Sequence, residues 1–513
     1  VRHGYTPQAF ENRNWANVKL FGVTGEKRVG LTSKSLPAIA ICLCCLQVSH
    51  AQSELEKFQR RVEQLREVER VGTSNLAHMG DRTLLQYGGY LSFDYYSIDD
   101  ANGLNHTLRR TEATGYLRAQ FNAQQELFFR IRSGYDDFAP GDSFDGNGDD
   151  WIDPIVERAY YRFDLAPTAA SVAPGLLKSD TVVELGRDYV YWANGLVLAA
   201  ILDGGQITFR QGDISLGLLA GVTERHTVDF DSSRPGFDEH THRAFYGAMV
   251  QGKLGRHRPF AYVLLQRDLD SDSSSLEIKG GAPPINTRYE YNSNYFGIGS
   301  TGTVTDRLTY QAEFVAETGG SNSNSFQQTN DGITGIDQSH DRIEAYACDV
   351  RLDYLPGDTH ATRFSGEILV ASGDDDRGNT DTTFNGNQPH TADHAFNAFG
   401  AVNTGLAFNP QASNLAVLRI GASAIPFPEV KLLRRLQAGA DFFVYAKTNE
   451  RAPIDEVTSS DRYLGVEPDV FVNWRVTSDV TIALRYGIFF PSGAIQQSDD
   501  PRQFLFAGVT LAF

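Results

Sequence analysis

Arginine recurs at alternate positions in short segments whose intervening residues are apolar. Arg118 falls among Ala113, Gly115, Leu117, Ala119 and Phe121; Arg130 and Arg132 fall among Leu127, Phe129 and Ile131. Arg158 and Arg162 alternate with Ala159, Tyr161 and Phe163, Arg475 with Trp474 and Val476, and Arg485 with Leu484 and Tyr486. A guanidinium stays charged and offers a planar fork to carboxylates and phosphates, so several on one face make a surface for anions. The competing reading is that each arginine satisfies a facing carboxylate across the strands. No Gly-rich phosphate loop, nucleophile elbow or His-Glu-x-x-His pattern is present, and the sequence is read as a non-enzyme.

One further stretch could hold a cation. In "DGNGDDWID", Asp145, Asn147, Asp149 and Asp153 stand at positions 1, 3, 5 and 9 of a calcium-loop pattern. Position 6 is Asp150 in place of Gly, and position 12 is Val156, with Glu157 one place late. The alternative is a solvated acidic loop sharing divalent ions with lipopolysaccharide.

Period-two alternation demands strands, and its length and loop pattern demand a closed sheet. Short connections near 123–125, 212, 255–258, 302–306, 355–360 and 477–479 alternate with long polar ones at 137–154, 224–241, 269–288, 318–340, 373–413 and 448–462. That alternation places one end of a barrel in the periplasm and the other outside. Closure removes strand edges that hydrocarbon cannot tolerate. The expected fold is an all-β transmembrane antiparallel barrel over 85–513, of about eighteen strands with sixteen as the alternative, behind a short N-terminal periplasmic helix.

The parity that puts the apolar stripe toward lipid puts Arg118, Arg130, Arg132, Arg162, Arg419, Arg435, Arg475 and Arg485 toward the lumen. Matched against Glu112, Glu126, Glu313, Asp349, Glu367, Asp441 and Asp469, the lumen reads as modestly basic. The chain as a whole has net charge −18, so the excess acid is assigned to loops. Such acidity excludes a nucleic-acid partner.

Residues 1–51 read as an over-long start followed by a signal peptide, with the apolar core Leu36–Val48 and small residues at Ser49 and Ala51. Residues 52–71 form an amphipathic helix with Leu55, Phe58, Val62 and Leu65 on one face. It is read as a short coiled coil joining a homo-oligomer, a trimer, through 52–70; a frayed leader or a cell-wall contact is the alternative. Residues 72–84 read as a linker. The protein is placed in the outer membrane of a Gram-negative-type bacterium, in contact with its lipid and lipopolysaccharide.

Several segments resemble the alginate-export family of outer-membrane barrels. They are "ERAYYRFDL" (157–165), "ELGRDYVYWANGLVLAAILDGGQITF" (184–209), "EILVASGDDD" (367–376) and "NLAVLRIGASAIPFPEVKL" (414–432). "YLGVEPDVFVNWRVTSDVTIALRYGIFFPSGA" (463–494) and the closing "FLFAGVTLAF" (504–513) complete the series. The resemblance implies an eighteen-stranded barrel with an arginine-rich conduit for anionic polysaccharide or smaller anions. Arg187, Arg419 and Arg485 are the matched positions. Arg187 shares parity with Val183 and Leu185, so a bulge is required to aim it inward. The function read from the sequence is a porin for passive diffusion of small anions or anionic saccharides. A structural or adhesive surface barrel with calcium-binding acidic loops and a plugged lumen is the alternative.

Overall fold

The computed structural model describes residues 54, 57–58, 61–62, 83–121, 124–144, 146, 148–165, 179–238, 241–270, 272–276, 283–329 and 332–513. The leader at 1–51 and nearly all of the linker at 72–84 lie outside them.

The strands are β1 (Leu84–Asp99), β2 (Asn105–Phe121), β3 (Gln125–Phe138), β4 (Asp150–Asp164), β5 (Ser179–Tyr191), β6 (Ala199–Gln211), β7 (Ile214–Thr223) and β8 (Arg243–Gly252). There follow β9 (His257–Asp268), β10 (Ser273–Leu276), β11 (Ile285–Arg288), β12 (Tyr291–Thr305), β13 (Leu308–Asn322), β14 (Phe326–Thr329) and β15 (Gly332–Gly335). The last are β16 (His340–Tyr354), β17 (Arg363–Ala371), β18 (Ala416–Ala424), β19 (Leu436–Ala446), β20 (Tyr463–Arg475), β21 (Val480–Pro491) and β22 (Arg502–Ala512). Eighteen of them form one antiparallel sheet; β10–β11 and β14–β15 are two small hairpins within long loops.

The sheet closes on itself. β22 pairs with β1 from Phe504–Ile98 to Ala512–Tyr90, and Gly89 and Phe513 exchange backbone hydrogen bonds of 3.0 and 2.9 Å. Parity separates the two faces as a barrel in lipid requires. Leu117, Phe129, Leu185, Ile298, Ile368, Leu418 and Leu484 point outward and are exposed, while their strand neighbours Arg118, Arg130, Arg419 and Arg485 point inward and are buried. Outward aromatic residues such as Tyr87, Trp151 and Tyr463 stand near the strand ends, where amphipathic rings favour the lipid–water boundary.

The lumen is filled at its long-loop end. The connection between β17 and β18, residues 372–415, turns into the barrel instead of projecting away from it. Phe408 stacks on the inward Phe489 of β21, with centroids 4.1 Å apart and planes 4° apart. Phe399 packs edge-on against Phe245 of β8, and Phe396 against Tyr295 of β12. The turn between β5 and β6 also leans inward: Trp192, Leu196, Val197 and Leu198 are buried, and Ala401 N–H donates to Gly195 O at 3.0 Å.

The described residues of the predicted N-terminal helix are helical, but their place differs from the periplasmic coiled coil expected. Phe58 and Val62 are buried inside the barrel, where Phe58 meets Phe144 at 5.2 Å and the inward Tyr96 at 6.0 Å. An amphipathic face too short to be stable alone needs an apolar partner, and the lumen supplies it. Phe58 and Val62, two of the residues assigned to pairing with other copies, are therefore buried within this chain.

Candidate functional site: the lumen and its constriction

The inward face of the barrel carries charges of both signs. On β2, β3 and β4, Arg118, Arg130, Arg132, Arg158 and Arg162 form a ladder on adjacent strands. Arg118 bonds Glu126 at 2.7 Å, Arg130 bonds Glu157 at 2.6 Å, Arg132 bonds Glu112 at 3.1 Å and Arg158 bonds Asp188 at 3.2 Å. Arg162 lies opposite Glu126 and Glu184 and keeps an exposed side chain. Across the barrel, β13 to β20 carry Glu313, Glu317, Asp349, Glu367, Asp441, Glu467 and Asp469 on the inward face. There Arg419 bonds Glu367 at 2.6 Å, while Arg485 stands over the Phe471 ring and donates to Val472 O.

Three of the arginines assigned to the lumen lie elsewhere. Arg435 belongs to the turn before β19 and is exposed at the short-turn rim. Arg475 ends β20 at the same rim, where it donates to Ser478 O at 3.3 Å. Arg187 is not aimed into the lumen but lies in the wall between β4 and β5. It bonds both oxygens of Asp203 at 2.6 Å, Val156 O at 2.9 Å and Glu224 at 3.2 Å.

The modestly basic balance read from parity also needs correction. A bulge in β4 opposite Arg130 and Ile131 turns Glu157 inward beside Arg158, so two successive residues face the lumen. Glu184, Asp188, Glu467 and Asp94 add further carboxylates to the inner face. Strict alternation cannot detect a bulge, and no local residue pattern marked this one. Carboxylates therefore stand among the arginines as well as opposite them: Glu112, Glu126, Glu157, Glu184 and Asp188 accompany Arg118, Arg130, Arg132, Arg158 and Arg162.

The inward segment 372–415 is pinned by buried carboxylates. Glu467 accepts the backbone N–H groups of Leu406, Ala407 and Phe408 at 2.5, 2.6 and 2.9 Å, and the Tyr445 hydroxyl at 3.2 Å. Glu317 accepts Asn397 N–H at 3.1 Å, and the Tyr295 hydroxyl donates to Asn397 O at 2.6 Å. Three successive amides converging on one carboxylate make an anion nest with the protein's own side chain as the anion. Asn409 and Asn414 hold φ of 44° and 49°, a left-handed conformation that Asn tolerates better than most residues.

The helical segment is held by charge as well as by packing. Lys57, 1% exposed, bonds Glu456 at 2.8 Å and lies 3.4 Å from both Asp455 and Glu54. Arg502 grips both oxygens of Glu456 at 2.6 and 2.8 Å. Burial alone would raise the Glu456 carboxyl, but Arg502 and Lys57 together hold it below the ordinary range. Arg61 donates to Ala407 O at 2.8 Å, joining the helix to the inward segment.

Of the calcium-pattern residues, Asp145 and Asn147 lie outside those described. Asp149 accepts Phe138 N–H at 3.0 Å and the Tyr135 hydroxyl at 3.3 Å. Asp153 is part of β4, which starts at Asp150, so the loop expected to run through Asp153 ends sooner.

A cavity of about 660 Å³ lies between the helical segment, the inward segment and the outer parts of β3 to β6. Its lining includes Phe58, Arg110, Arg132, Tyr189, Ile201 and Phe399.

The chain resembles the solved structure of OccK5 (OpdH) of Pseudomonas aeruginosa at 10% identity and a TM-score of 0.49, covering 85% of this chain and 100% of that one. It resembles a BenF-like porin of Pseudomonas fluorescens Pf-5 at 11% identity and a TM-score of 0.49, covering 84% and 99%. No curated protein sequence matches it. Residues 218–507, more than half of the chain, match the model of one family, described as alginate export. The chain therefore belongs to the alginate export family of outer-membrane β-barrels.

Proposed function

We propose that the barrel passes small anionic solutes or anionic saccharides along the arginine wall of β2 to β4, by passive diffusion. The observation that supports this reading is the run of Arg118, Arg130, Arg132, Arg158 and Arg162 on three adjacent strands, with Arg162 exposed. Their forks are shared with facing carboxylates, so the wall can draw a passing anion without holding it tightly. Weak, repeated sites favour conduction over capture. The inward segment 372–415 narrows the passage and forces solutes toward the charged walls.

Reversal potentials in planar bilayers under a salt gradient test this. Arg162→Glu should lower the anion-to-cation permeability ratio by about threefold, in keeping with field focusing inside a narrow pore. An unchanged ratio would sink the assignment of the anion route to this wall. A second reading, a closed structural barrel, is favoured by the helix and the inward segment lying in the lumen. Absence of any current from the intact protein would favour that second reading.

A further inference from the structure

The turn between β18 and β19, residues 425–435, carries two prolines that end the strand period. Pro426 and Pro428 lack the N–H that a ladder needs, and the chain turns on itself instead. Val430 N–H donates to Phe427 O at 3.2 Å, and the N–H groups of Leu433 and Arg434 both donate to Val430 O at 2.8 Å. Ile425 N–H donates to His360 O of the neighbouring short turn at 2.7 Å. The turn is thus tied down at the periplasmic rim, where the short connections of a barrel lie.

Its apolar residues stand in the open. Phe427, Val430 and Leu432 are 51%, 47% and 58% exposed. The short connections at 212–213 and 477–479 carry Gly, Asp, Thr and Ser in the same surroundings. A cluster of apolar groups left facing water is unfavourable and marks a surface that meets something else. Trp474 of β20 shows what lies beside it. Its Nε1–H donates to Leu432 O at 3.1 Å, and it shares a face of β20 with the lipid-facing Val470. Leu436 pairs with Trp474 and continues that face. The apolar turn therefore extends the lipid-facing band past the ends of the strands.

The same turn is basic. Lys431, Arg434 and Arg435 are exposed, as is Arg475 at the end of β20. Arg475 N–H donates to Arg435 O at 3.4 Å, so two of these arginines are neighbours across the strands. Like charges placed side by side repel unless an anion lies between them. Among the described residues none of these cations forms an ion pair. Elsewhere on this rim Arg210 bonds Asp180 at 3.0 Å, and Arg256 bonds Asp306. The acids of the two turns are Glu429 and Asp479, which leaves the patch positive on a chain of net charge −18.

We infer that the β18–β19 turn is an anchor for an anionic phospholipid of the periplasmic leaflet. The phosphate is held among Lys431, Arg434, Arg435 and Arg475, and the acyl chains lie along Leu432, Trp474 and Val470. A short segment that joins basic side chains to exposed Phe, Val and Leu settles in the interface plane of a bilayer. Each Lys or Arg beside an anionic leaflet adds to the attraction, and Trp favours that boundary. A phosphate supplies the anion that the neighbouring wall does not provide. The site does not depend on what the lumen carries.

Trp474 reports on its own surroundings. The full chain would be reconstituted in phosphatidylcholine vesicles holding a minor fraction of brominated phosphatidylglycerol or, in parallel, of brominated phosphatidylcholine. Fluorescence quenching that is absent from Trp474→Phe is assigned to Trp474. It should be about threefold stronger with the anionic lipid, as attraction by several basic residues requires. Replacing Lys431, Arg434, Arg435 and Arg475 together by Gln should bring the two lipids level, with heat-modifiable gel mobility identifying folded protein. High salt should do the same to the unaltered protein, because exposed charges are screened. Equal quenching by the two lipids in the unaltered protein at low salt would overturn the anchor and leave the turn to a periplasmic protein partner. So would a preference that survives in the folded fourfold variant.

Discussion

Glu467 is the residue on which the constriction depends. Its buried carboxylate receives three consecutive backbone donors, and removing its charge leaves those amides with a weaker acceptor. Hydrogen bonds to a charged group contribute about 1.5–3 kcal/mol each. Glu467→Gln should therefore loosen residues 404–409 without disturbing the wall. Hydrogen exchange at Ala407 and Phe408 should accelerate by about tenfold or more, and single-channel conductance should rise and become noisier. Unchanged exchange would mean that the Phe408–Phe489 stack alone holds the segment. Parity could place Glu467 in the lumen, but it could not show what the carboxylate binds. Its donors come from residues 59 to 61 positions away in the chain.

Among the elements, the β5–β6 hairpin departs most from a regular barrel wall. Its tip is held inside the lumen, where Trp192 packs against Tyr262 of β9 and Asn194 N–H donates to Glu313 of β13, and its pairing with β4 stops at Ala159–Arg187. Trp192→Ala removes the anchor, at a cost of about 3–5 kcal/mol if the site does not collapse. β5 is then expected to pair with β4 beyond Arg187. Hydrogen exchange at residues 188–190 should slow while exchange at 195–198 speeds up; faster exchange at both would overturn the link. Strands were legible because a side-chain period of two survives loops, bulges and twist. Where β4 departs from its period at Glu157, parity reasoning misplaced that residue. Arg187 was misjudged for a related reason, since its surroundings depend on where two strands part and not on its own neighbours. The segment 372–415 read as an exterior loop because Phe396, Phe399 and Phe408 follow no periodicity. Only the aromatic rings they meet inside the barrel explain them. The helix was legible as a helix, from Phe58 and Val62, but its docking partners Asp455 and Glu456 are too remote in sequence to be paired with Lys57 in advance.

At the scale of the molecule, eighteen strands enclose a lumen whose outer end is packed with the protein's own loops. Neighbouring strands are mostly joined by local hairpins, so nearly all of the wall can form from contacts close in sequence. The seam between β1 and β22 is different: Gln503 N–H donates to Asp99 across a separation of 404 residues. Closing the β1–β22 seam carries the largest loop-closure entropy of any strand pairing in the sheet, and such contacts form late. Refolding into lipid should thus show fast growth of strand content followed by a slower phase in which the Tyr96–Phe506 contact forms. A fluorophore pair at Ser97 and Leu505 would report it, and simultaneous appearance of both signals would exclude a late seam. Until that moment the sheet has two open edges, each able to accept a strand from elsewhere. The reciprocal bonds between Gly89 and Phe513 therefore act as a clasp, and a newly made chain is at greatest risk of pairing with the wrong neighbour just before it fastens.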